Sequence, residues 1–195
     1  MTGSFLREPP MSPDVRALYD EDLADDGYVG NVSRLWAHQP GTVRELFALM
    51  SQAFAPGGLA FRQRGILVTA AASAFGDSYC SLAWGGKLGQ AGDAATAAGV
   101  LSGSDAGLTA QEKAMAAWAR KVATAPNATT PADVQALREA GLDDGQIFAI
   151  TAFVALRLAY STINDSLGAQ PDAQLAQSLP PEVRDAVTYG RPVAT

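Results

Sequence analysis

The sequence predicts an all-α fold, and three observations predict it. Apolar residues recur at i, i+3, i+4 and i+7 in several segments, as in Val43, Leu46, Phe47, Met50 and Phe54. Capping residues stand where such segments begin: Ser12 before Pro13, Thr109 three residues before Glu112, and Thr130 before Pro131. No stretch alternates with period two for long enough to make a strand. With 195 residues, of which 48% are hydrophobic and 17% charged, the chain has the apolar material for one core.

Residues 1–12 are an N-terminal extension expected to lie loose or draped over a neighbouring subunit, and residues 13–170 form a single domain. The first helix runs from Pro13 through Val15, Leu18 and Tyr19, and the acidic stretch 20–27 is expected to end it as a solvated turn. Residues 31–36 make a second short helix, and Pro40 forces a break after His38. The helix marked by Val43 and Met50 stops at Pro56, Gly57 and Gly58. The next carries Ile66, Leu67, Ala70, Ala71 and Ala74 on one side, and its small residues let another helix approach closely. Only a few residues around Gly76 separate it from the helix that holds Cys80, so the two form an antiparallel hairpin. Gly85 and Gly86, in mid-helix, imply close packing against another backbone or a helix end.

The alanine-rich segment 93–101 is a short helix, and Met115, Trp118, Ala119 and Val122 mark the buried face of the one capped by Thr109. A further helix runs from Thr130 to a stop at Gly141. Asp143 caps the longest helix, Ile147 to about Leu167, whose first half is apolar on nearly all sides and is therefore expected to be buried all round. A chain this small achieves that most easily against a second copy, so a homo-oligomer is expected. Residues 171–195 are a C-terminal tail with one or two short helices around Leu175 and Val183.

The composition also excludes several function classes. A net charge of -6 with no Lys/Arg stripe argues against nucleic acid as a partner. The apolar run 147–159 is too short to cross a bilayer and contains Arg157, and the N-terminus lacks a signal-type apolar region; no membrane is expected, and a cytoplasmic location is. One cysteine and one histidine make neither an intrachain disulfide nor a tetrahedral zinc set, so no metal and no cofactor are expected. His38 lies in a loop far in sequence from Cys80, which favours a structural or surface role over acid/base chemistry.

The candidate site is the start of the helix around Cys80. Asp77, Cys80 and Trp84 are spaced three and four apart and share one helix face, with Tyr79 beside them. Asn164, near the end of the longest helix, is placed either to polarise a ligand or to make a terminal or intersubunit hydrogen bond. Trp84 either fills the pocket or floors it for a ligand, with Tyr79 and Asp77 as polar handles.

Three parts of the chain carry a resemblance: Ile66 to Ala72 leading to Ser78, Tyr79, Cys80, Ser81, Leu82 and Ala83; the helix start from Leu108 to Met115; and Asp133 to Gly141 followed by Ile147 through Gly168. They resemble the alkylhydroperoxidase D-like, or carboxymuconolactone decarboxylase-like, family, in particular its peroxidase-related branch. The resemblance implies an alkylhydroperoxidase D-like helical bundle and reduction of hydroperoxides. Redox members of that family carry a glutamate about a helix length before a Cys-x-x-Cys-x-x-x-His run, in which the two thiols cycle through a disulfide. Cys80 matches the second cysteine, whereas Asp77, Trp84 and Gly65 stand where the first cysteine, the histidine and the glutamate belong.

Those substitutions leave the chemistry open between three readings. In the first, Cys80 reduces hydroperoxides. The helix N-terminus favours its thiolate, an ionised Asp77 opposes it, and an external thiol or a partner subunit must reduce the sulfenic acid because no resolving cysteine exists in the chain. In the second, a decarboxylase-like lyase acts on a small acid without the thiol. In the third, the chain is a catalytically silent, oligomeric binding or scaffold protein in which Cys80 is structural.

Overall fold

The computed structural model describes residues 3–195. Among them are eleven α-helices and no strand: α1 (Pro13–Asp25), α2 (Asn31–Trp36), α3 (Pro40–Phe54), α4 (Phe61–Phe75), α5 (Ser78–Ala91), α6 (Ala94–Leu101), α7 (Ala110–Thr124), α8 (Pro131–Glu139), α9 (Asp144–Ser166), α10 (Ala173–Ser178) and α11 (Pro181–Asp185). The predicted caps form. Ser12 accepts from the Val15 amide, Thr109 and Glu112 make a reciprocal capping box, and Asp143 accepts from the Gln146 amide.

At the centre lies α4, which packs most extensively against α7 and α5 and also meets α9. Its residues Ile66, Leu67 and Ala70 are fully buried, with Met115, Ile150 and Phe153 from the neighbouring helices. The α4–α5 hairpin turns in two residues. Gly76 takes the left-handed conformation at φ 88, and the amides of Gly76 and Asp77 both return to the Ala72 carbonyl.

Several expectations require correction. The acidic stretch does not end α1 at Asp20, because the helix continues to Asp25, with Asp20, Glu21 and Asp25 exposed and Asp22 accepting from the Gly30 amide. The N-terminal segment from Gly3 is not loose: the Phe5 amide donates to the Leu167 carbonyl, the Gln170 amide donates to the Gly3 carbonyl, and Arg191 lies over the Phe5 ring. Met1 and Thr2 fall outside the described residues. Gly85 and Gly86 admit side chains, not a backbone: a Cβ at Gly85 would meet Leu101 and Val183, and one at Gly86 would meet Leu179.

Helix α9 departs from expectation twice. At 23 residues it is long and apolar enough to span a bilayer, yet it packs within the domain with Ile150, Phe153, Val154 and Arg157 buried. Its first half is also not buried all round, for Phe148 is 75% exposed.

Candidate active site

Local sequence fixes the position of Cys80. Asp77 is the N-cap of α5 and its carboxylate accepts from the Cys80 amide at 2.9 Å, so the cysteine stands in the first helical turn. Asp77 is fully buried, and its other carboxylate oxygen has no hydrogen-bond partner among the described residues. The thiol has two donors from α9: Arg157 donates from Nη2 to Sγ at 3.3 Å, and Ser161 donates at 3.7 Å.

Burial dominates the electrostatics. With Cys80 only 3% exposed, desolvation pushes its thiol well above the ordinary range, and the charge of Asp77 adds to that. The guanidinium of Arg157 and the Ser161 hydroxyl pull the other way without reversing it. Burial, which local sequence does not reveal, is the largest of these effects and acts in the same direction as Asp77.

The thiol borders a cavity of about 540 Å³ between α1, α2 and α3 on one side and α5 and α9 on the other. Trp36, Phe47, Tyr79, Trp84 and Tyr160 supply aromatic surface, and Arg157 contributes the buried cation. Trp84 therefore forms a wall and does not fill the space. Its indole packs against Phe61 and the cations Arg64, Lys87 and Arg157, whose charged groups lie 5.2 to 5.5 Å from the ring centre.

Of the other predicted residues, Tyr79 lines the cavity while its hydroxyl donates to Asp172, and burial followed by that carboxylate raises its pKa well above the usual phenol range. Asn164 is fully buried behind the wall, where its carbonyl accepts from Trp36 Nε1 at 2.8 Å. It thus orients a lining residue instead of touching the cavity. Asp77 likewise lies behind Cys80. At Gly65, the position of the family's glutamate, an added Cβ would stand 3.4 Å from Leu88, and that packing occupies the space.

The residue that sequence reasoning missed is Arg157. It is 4% exposed and forms no ion pair among the described residues, and Tyr160 and Trp84 cover its face. One signal was available: it is the single charged residue in the apolar run 147–159.

No family model matches the sequence, and no curated protein matches it. Solved structures do. An alkylhydroperoxidase D core, the uncharacterized peroxidase-related protein of Ralstonia eutropha JMP134, superposes with a TM-score of 0.76 at 27% identity, over 88% of this chain and 94% of that one. This chain has the alkylhydroperoxidase D-like fold. A second neighbour in fold is the uncharacterized peroxidase-related protein of Silicibacter sp. TM1040, at TM-score 0.76 and 19% identity, covering 90% of this chain and 95% of that chain. The debrominase Bmp8 has the same fold at 14% identity and TM-score 0.74, over 93% of this chain and 97% of its own, and a cysteine-to-alanine variant of it was solved with 2,3,4-tribromopyrrole.

Proposed function

We propose that the protein is a thiol-dependent reductase that acts on a small organic hydroperoxide through Cys80. The observation that carries this reading is the Arg157 guanidinium donating to Cys80 Sγ at the wall of an aromatic cavity. A buried cation on a sulfur stabilises the thiolate, the nucleophilic form. Asp77 supplies the acceptor for the thiol proton, since its second oxygen is buried without a partner.

The chemistry closes with named co-reactants. Cys80 sulfur attacks the terminal oxygen of the hydroperoxide, the S–O bond forms as the O–O bond breaks, and the leaving alkoxide is protonated from solvent, to which Asp77 returns the thiol proton. The products are an alcohol and a Cys80 sulfenic acid. Two equivalents of an external thiol then restore the cysteine, releasing water and a disulfide.

The aromatic walls favour a second reading, reductive dehalogenation of a haloarene, consistent with the debrominase neighbour. There the sulfur takes the halogen, the ring carbon takes the proton, and external thiol reduces the sulfenyl halide. Both readings require Cys80 and an external thiol.

Incubation with cumene hydroperoxide tests the first reading, with sulfenic acid trapping followed by mass spectrometry. Wild-type protein should gain the adduct at Cys80, Cys80→Ser should gain none, and Arg157→Met should react about tenfold more slowly or worse, as expected for losing a cation beside a thiol. A wild-type thiol that stays reduced while a bromopyrrole is debrominated would transfer the assignment to the second reading; inertness toward both would end the thiol-dependent one.

A further inference from the structure

Three cations surround Trp84, and none of them forms an ion pair among the described residues: Arg64, Lys87 and Arg157. Such an arrangement is costly. Like charges gathered on one ring repel, and Arg157 is buried, where an uncompensated charge is least tolerated. The repulsion registers on Arg64, whose guanidinium pKa is lowered first by burial and then by Arg157. Asp77 caps the Cys80 amide and makes no direct ion pair with Arg157 among the described residues. Among the described residues Arg157 Nε has no partner, and its Nη1 reaches only the weak acceptor Met50 Sδ at 3.9 Å.

Of the three, Lys87 and Arg157 line the cavity with Trp84, while Arg64 sits against the same indole from beside Phe54 and Phe153. The opposite wall is acidic: Glu21, Asp22, Asp25 and Asp26 come from α1 and the residue that caps it. Glu21 is engaged by Arg44, and Asp22 accepts from the Gly30 amide. The cavity is thus polarised, and an anionic group entering it is repelled by the α1 wall and drawn to Lys87 and Arg157.

We propose that the cavity binds an organic carboxylate, with its aromatic or apolar body between Trp36, Phe47 and Trp84 and its carboxylate at Lys87 and Arg157. This deepens the reading of the site given above, for the substrate becomes a hydroperoxide or haloarene that carries a carboxylate. The binding step itself needs no thiol chemistry.

Benzoate and the neutral isostere benzamide test it by calorimetry on wild-type protein. Benzoate should bind about tenfold tighter than benzamide or better, the magnitude of one hydrogen bond to a charged group. The preference should shrink in Lys87→Met, an exposed position whose replacement leaves the core untouched, and shrink further in Arg157→Gln. Equal binding of the two probes, no binding of either, or an unchanged preference in Lys87→Met would overturn the inference. Benzoate binding by a chain whose Cys80 ignores peroxide would refute only the reductase reading; rapid Cys80 oxidation by cumene hydroperoxide without benzoate preference would refute only this one.

Discussion

Asp77 does two jobs at one residue, and they can be separated by a single substitution. As N-cap it closes the first turn of α5, and as a buried charge it raises the Cys80 pKa. Asn is as good a cap as Asp but carries no charge, so Asp77→Asn should keep α5 intact and lower the thiol pKa. Alkylation of Cys80 by iodoacetamide, followed from pH 7 to 10, should then be faster at each pH than in wild type. Peroxide turnover should nonetheless fall, because the proton acceptor is gone; a variant that gained both would show that Asp77 only hinders. The sequence placed Asp77 and Cys80 correctly at spacing three, a local relation. It could not place Arg157 on the sulfur, since that contact joins residues 77 apart in the chain.

At the scale of elements, the position of α5 depends on a strap formed by the C-terminal segment. Ser78 donates to the Arg191 carbonyl at 2.8 Å, Tyr189 donates to Ser81 at 3.1 Å, and Arg191 reaches back to the Asp165 carbonyl at 2.7 Å. Gly190 makes the crossing possible: at φ 72 it lies so close to Gly76 and Ser78 that an added Cβ would stand 2.5 Å from a backbone oxygen. Gly190→Ala should therefore lift the strap and destabilise the protein by about 1–3 kcal/mol, the usual cost of a forced left-handed residue. Trypsin should cut at Arg184 faster in the variant than in wild type, Arg191 being protected by the proline that follows it. Helix positions were legible because caps and periodicity are local signals; the strap was not, because its residues carry no periodic pattern and owe their path to distant partners.

Across the whole molecule, stability should carry the imprint of Asp165. Burial, and then repulsion from Asp77, push its carboxyl up to about 7, with Arg191 opposing. An unfolded aspartate titrates near 3.9, so between those two values the folded state holds a proton that the unfolded state has lost. That favours the fold at low pH and is withdrawn as pH rises through about 7. Asp165→Asn abolishes this dependence. The melting temperature of the variant should gain on wild type between pH 5 and 8, and a constant difference across that range would contradict the assignment.

The same overall arrangement distributes the three tryptophans unequally. Trp36 and Trp84 border the cavity, while Trp118 is tied to Thr151 on the other face of α9. The protein therefore contains its own optical reporter. Occupancy should perturb the emission of two indoles and leave the third as an internal reference, so Trp118→Phe should deepen the fractional change without altering the affinity it reports.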